Sequence, residues 1–146
     1  MSQVPVNLMH GNWAWSLPLI VATVLIHVFG LGLINQKITT VALRRRQHKA
    51  MFVVVIGGAA LFATMLHTIE AAIWTFAYRI LGALPGQGMA FLYSLGAMTT
   101  FGYKNVQLAP HWELMGALEA LNGMMLFGVT TAWLFTVMQR VWRDSS

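Results

Sequence analysis

Met89-Ala90-Phe91-Leu92-Tyr93-Ser94-Leu95-Gly96-Ala97-Met98-Thr99-Thr100-Phe101-Gly102-Tyr103-Lys104-Asn105 is the stretch whose reading decides the fold. Its first part, residues 89–99, is apolar and compatible with a helix. A helix needs roughly 20 apolar residues to cross ~30 Å of hydrocarbon, so this one is too short to span. A turn cluster precedes it at residues 84–88, with Pro85, Gly86 and Gly88. An irregular stretch with Gly102 and Pro110 follows it. A short helix followed by irregular backbone reads as a re-entrant loop. The same composition also fits a surface helix in an extracellular loop.

On either side the chain turns strongly apolar. Residues 13–34, 51–78 and 114–138 are each long enough to span a bilayer. The chain is 58% hydrophobic and only 9% charged, where a soluble domain carries about 25% charged residues. A soluble fold of 146 residues could not bury that much apolar surface, and the length leaves no room for a separate cytosolic domain. Trp13, Trp15, Trp74, Trp112 and Trp142 fall near the expected span ends, where amphipathic rings favour the interface; Trp133 does not. Pro18 is expected in the first turns of its helix, where it does least harm. Residues 1–12 lack a basic region, and the first apolar run is too long for a signal-peptide core.

Charge sets an orientation. Lys37, Arg44, Arg45, Arg46 and Lys49 lie between the first two apolar runs, and Arg140 and Arg143 follow the third. Only Arg79 and Lys104 lie between the second and third. The positive-inside rule therefore puts the N-terminus outside and the C-terminus in the cytoplasm. The net charge of +5 is then a topology signal and not a nucleic-acid surface. The cluster Arg44, Arg45, Arg46 and Lys49 suits anionic lipid headgroups as well as plain solvent. Consecutive arginines cannot lie along one face of a spanning helix, so no voltage sensor is expected. Cysteine is absent, which removes disulfides, thiolate metal sites and a cysteine nucleophile. No nucleophile–base pair or phosphate loop is visible, so no enzyme is expected.

Within this frame Thr99-Thr100-Phe101-Gly102-Tyr103-Lys104-Asn105 resembles the pore signature of potassium channels, T-V-G-Y-G-D. The order of elements matches too: outward helix, short helix, filter-like loop, inward helix. The resemblance is to small bacterial channel-like proteins with a two-helix pore unit, and covers about residues 51–142. It implies an all-α, tetrameric membrane protein of the bacterial inner membrane. Three transmembrane helices would carry a re-entrant pore helix and filter-like loop between helices two and three. Residues 51–146 would be the pore unit, and residues 1–50 an extra helix with a basic cytoplasmic loop. By resemblance, Thr100, Phe101, Gly102 and Tyr103 supply carbonyls that replace the water shell of a permeant monovalent cation, potassium foremost. Beyond that ion no cofactor or metal is implied, and the partners are the lipid bilayer and three further copies of the chain.

Lys104 departs from the family pattern, standing at the second glycine, and Asn105 stands at the aspartate. A non-glycine residue in left-handed backbone costs roughly 1–2 kcal/mol. Four ammonium groups ~10 Å from an entering ion would each repel it by about 0.4 kcal/mol in water. Together they deplete cations about tenfold before salt screening. The expectation is an ion pore of altered selectivity or low conductance. The alternatives are a non-conducting channel-derived accessory subunit, or a membrane cytochrome subunit with His27 and His67 on a b-type haem.

Further polar residues interrupt the apolar runs. Glu70 and His67 share a helix face at i, i+3 spacing. A carboxylate in the membrane costs at least ~2.5 kcal/mol and needs a partner or a proton. Glu70 therefore reads as a brace on the filter loop, as a local pair with His67, or as a proton or metal site. Glu119 reads as a cation attractor, a brace on the pore helix, or a carboxyl hydrogen-bonded near the interface. Thr99 would back the filter. Asn122, Leu126 and Thr130 recur at helical spacing and read as cavity-lining. Gly123 and Gly128 are gate hinges by resemblance or close-packing positions by composition. The ten methionines read as lipid-facing or packing residues.

Overall fold

The computed structural model describes residues 6–44, 49–84, 89–102 and 106–144, with side chains for 10–38, 53–84, 89–102, 106–140 and 142. The described residues are helical, with no strand among them. The helices are α1 (Val6–Arg44), α2 (Lys49–Ile80), α3 (Ala90–Met98) and α4 (Glu113–Asp144). A single 3-10 turn, Pro110–Trp112, leads into α4. Stretches of three helices, His10–Ile38, Val53–Ile80 and Pro110–Arg140, are long and apolar enough to cross a membrane. Arg45 and Arg46 lie outside the described residues, as do the side chains of Arg44 and Lys49.

Threonines inside these helices hide their hydroxyls locally. Thr64, Thr68, Thr75, Thr131 and Thr136 each donate to the carbonyl four residues back. That satisfies the polar atom where neither water nor a partner helix is at hand. The end of α2 is closed by a left-handed glycine. Gly82 has φ +60, Ala83 N–H donates to Tyr78 C=O at 2.9 Å, and Gly82 N–H donates to Arg79 C=O at 3.3 Å. This paired pattern satisfies two of the last carbonyls of the helix.

α1 starts earlier than its apolar run. Pro18 consequently lies well inside α1, not in its first turns. It removes the N–H that the Ala14 carbonyl would otherwise receive. Trp74 is another correction: it is fully buried in the core, not at an interface. Around it pack Ala71, Ala77, Tyr78, Met98, Met115 and Leu126. A second cluster, Ile38, Val55, Ala59 and Val137, closes the opposite end. Leu25, Phe29, Leu33, Leu61, Met65 and Phe76 are exposed, leaving apolar faces outward on α1 and α2.

α1 packs against both α2 and α4. Asn12 fastens one end. Its amide donates to the His111 carbonyl at 2.7 Å, and its oxygen accepts from the Met115 N–H at 3.0 Å. A side chain of α1 thereby caps the first turn of α4, whose amides lack helical partners. At the other end Arg140 donates to the Asn35 side-chain oxygen at 3.2 Å.

α3 descends between α2 and α4, and Gly123 permits its closest approach. A Cβ at Gly123 would collide with the carbonyl, carbon and α-carbon of Met98. Backbone cannot rotate away, so Gly123→Ala should destabilise the bundle by about 1–3 kcal/mol. Gly128 has open space around it, so Gly128→Ala should be neutral or slightly stabilising. Unfolding of both variants in detergent micelles checks the contrast.

Candidate functional site: the filter-like segment and two buried polar clusters

α3 ends in a chain reversal. Thr99 N–H donates to Leu95 C=O, Thr100 N–H to Ala97 C=O and Gly102 N–H to Gly96 C=O, all near 3 Å. Thr100 has φ +56 and Gly102 has φ +70, while Phe101 between them is not in the positive region. A threonine in left-handed backbone is strained, at roughly 1–2 kcal/mol. Thr99, Thr100, Phe101 and Gly102 are all exposed, Phe101 by 87%. Tyr103, Lys104 and Asn105 lie outside the described residues. The chain then returns through Val106 and Leu108, both buried. Ala109 N–H donates to Ala83 C=O at 2.9 Å, beside the end of α2.

The depth of α3 follows from its neighbours. Met98 meets Gly123, ten residues into α4. At 1.5 Å per residue this is about 15 Å from the start of that helix, a third of the way along its 32 residues. Ser94 reaches the carbonyl of Ala71 at 2.8 Å, nine residues before the end of α2.

The first buried cluster holds α3 in place. Glu119 of α4 bonds Ser94 of α3 through one oxygen and accepts from the Tyr78 hydroxyl of α2 at 2.6 Å through the other. Glu119 is fully buried, so of its three readings the geometry is that of a brace on the short helix. Ser94 has one hydrogen and two oxygen neighbours, Ala71 C=O and Glu119 Oε1. Both contacts are served at once when Glu119 is a carboxylic acid that donates to Ser94.

The second cluster brings Glu70 and His67 together, the local pair among their readings, and adds a histidine from α1. Glu70 Oε1 accepts from His27 Nδ1 of α1 at 2.7 Å, and Glu70 Oε2 lies 3.2 Å from His67 Nδ1. Both imidazoles turn their Nε2 atoms to the Thr130 hydroxyl of α4, at 2.8 and 3.1 Å. Phe127 stacks on His67 with centroids 4.1 Å apart. The partner of this carboxylate is therefore a histidine on another helix. The Nε2 atoms converge on one oxygen and do not face each other across a gap, as two axial ligands of a haem would. His27, His67 and Glu70 offer donor atoms within 4.8 Å of one another, a composition that zinc accepts. Those atoms are already turned on one another and on Thr130.

Asn122, Leu126 and Thr130 do not line an open cavity of the chain. All three are buried, because α1 and α2 cover the face of α4 that carries them. Asn122 donates to the Thr23 hydroxyl of α1 at 2.9 Å, and Thr23 donates in turn to the carbonyls of Leu19 and Ile20. Gly123 is a close-packing position, while Gly128 packs against nothing. The sequence reading missed Asn12, Thr23, Tyr78 and Ser94 entirely, and took His27 only for haem. Each is a lone polar residue whose partner sits on a distant helix.

Comparison with known proteins finds no matching family model, no matching curated protein and no matching solved structure.

Replacing Glu119 should separate shape from bonding. Glu119→Ala strands the Tyr78 hydroxyl in the core and should cost about 2–3 kcal/mol. Glu119→Gln keeps a neutral group of the same shape and should cost less than half of that. Thr130→Val leaves two ring nitrogens unpaired and should cost about 1–3 kcal/mol. Unfolding in detergent checks all three.

Proposed function

We propose that the chain is one subunit of a tetrameric, potassium-channel-like pore for monovalent cations, with low conductance or altered selectivity imposed by Lys104. The observation that carries this reading is the end of α3 against the backbone of α4. Met98 stops against Gly123, about a third of the way along α4, and the Thr-Phe-Gly run begins there with φ alternating in sign. A filter needs carbonyls of successive residues turned toward one axis, four chains supplying each ring of oxygens. Left-handed backbone at Thr100 and Gly102 suits that task. α3 would also aim the negative end of its dipole at an ion beneath it.

Exposure supports assembly. Phe101 is almost bare in the single chain, and a groove beside it is lined by Gly96, Ala97, Gly116 and Ala120. Small residues let membrane helices approach closely. A neighbouring copy is the occupant this reading assigns to that face. The residues of α4 left for an axis-facing surface are exposed ones such as Leu121, Met124 and Met125, in place of Asn122, Leu126 and Thr130. The positive-inside rule puts the N-terminus outside and the filter-like segment on the outer side, in a bacterial inner membrane.

Ion flux through the purified protein in liposomes tests the reading, comparing potassium, sodium and chloride, with Lys104→Gly alongside. Weak cation flux that rises with Lys104→Gly is the expected outcome. Flux in the glycine variant alone would mean a channel scaffold with a blocked mouth. No flux in either would contradict a pore and leave the accessory-subunit reading.

A further inference from the structure

We propose that His27, Glu70, His67 and Thr130 form a proton-binding site, which holds one proton as an imidazolium–carboxylate unit and passes it between the two imidazoles through the Thr130 hydroxyl. This site is separate from the filter-like segment and independent of whether the chain conducts ions.

The cluster has more contacts than hydrogens. Four contacts close a ring: His27 Nδ1 to Glu70 Oε1, Glu70 Oε2 to His67 Nδ1, His67 Nε2 to Thr130 Oγ1, and Thr130 Oγ1 to His27 Nε2. Each contact needs one hydrogen. Two neutral imidazoles and one hydroxyl supply three. With only three, one contact sets lone pair against lone pair. The Glu70 Oε2 to His67 Nδ1 contact is an ion-pair distance of 3.2 Å and not a hydrogen bond, and both atoms are buried without any hydrogen-bond partner. Buried polar atoms of this kind are seldom left unmatched. A fourth hydrogen completes every side of the ring. The added proton is assigned to a ring, where the imidazolium pairs with the Glu70 carboxylate.

Charge gives the same answer. Without the proton the cluster carries the full negative charge of Glu70, which is completely buried among three apolar helices. With it the net charge is zero. A divalent metal on the same donors would leave a net positive charge in the same place. Buried net charge is costly in either sign, so a proton suits these donors better than zinc. The groups facing the ring are few. α1 brings His27, α2 brings His67 and Glu70, and α4 brings the Thr130 hydroxyl and the Phe127 ring. Glu119 and Tyr78, the other buried titratable groups described, bond each other and Ser94 instead.

Transfer across the ring is balanced. The Nε2–H bond of His27 breaks as its proton joins Thr130 Oγ1, while the Thr130 O–H bond breaks as its proton joins His67 Nε2. One imidazolium and one imidazole exist before and after, and all four contacts stay filled. The ring centroids are 4.9 Å apart, so neither ring needs to travel.

Solid-state nitrogen NMR of the chain in lipid bilayers near neutral pH reads this count. His10→Gln, His48→Gln and His111→Gln together leave His27 and His67 as the remaining pair of the five histidines. Labelled histidine should then show three of four ring nitrogens protonated, and Glu70→Gln should lower this to two. Thr130→Val should keep three but resolve one charged and one neutral ring, where the parent averages its Nε2 signals. Two of four in the parent would overturn the proposal, and that count stands even if Glu70→Gln fails to fold. Unchanged averaging in Thr130→Val would overturn the route through the hydroxyl. Stoichiometric zinc that replaces the imidazolium signal with metal-bound histidine would overturn the proton site in favour of a metal centre.

Discussion

A polar atom inside an apolar three-helix bundle has no water to turn to, and the structure depends on that constraint. Most polar side chains carried inward find a partner on another helix or on their own backbone, with Ser16 Oγ and Trp74 Nε1 as exceptions. The partners run the length of the bundle. Asn12 meets the start of α4, Glu119 meets Ser94 and Tyr78, Asn122 meets Thr23, Glu70 meets both histidines, and Asn35 meets Arg140. Apolar packing alone gives little preference for one helix arrangement in lipid, since lipid tails are as apolar as leucine. Polar pairs specify which faces meet. They make α1 part of the bundle and bury the inward face of α4.

The second constraint is steric. α3 ends where its backbone meets that of α4, and Gly123 lacks the Cβ that would collide there. Glu119 of α4 then holds α3 through Ser94. The strained Thr100 follows directly. A rigid short helix with a strained turn at its tip is a means of presenting backbone groups at a fixed depth, which is the geometrical requirement of a carbonyl-lined filter.

Much of this was legible in the sequence, for identifiable reasons. The three spans declared themselves by length and hydropathy, and α3 by being apolar but short. Its end at Met98 falls within a residue of the expected one, because Thr99-Thr100 and Gly102 break the pattern there. The pairing of Glu70 with His67 was legible because it lies within one helix. Its pairing with His27 was not, since nothing in a sequence relates a histidine to a carboxylate 43 residues away. The same limit explains why Asn122 and Thr130 read as cavity-lining. Their helical spacing shows a shared face, and only packing shows that α1 covers it. Pro18 was misplaced because polar residues such as His10 and Asn12 hide the start of α1 from a hydropathy reading, although Asn12 is there to cap α4.

The most direct test of the central claim is the number of chains in the particle that leaves the membrane. A single chain exposes Phe101 and the strained backbone beside it, and cannot surround an ion. Native mass spectrometry of the protein released from mild detergent or nanodiscs counts the copies. The account predicts four. A monomer or dimer, stable under conditions that preserve the bundle, would contradict it.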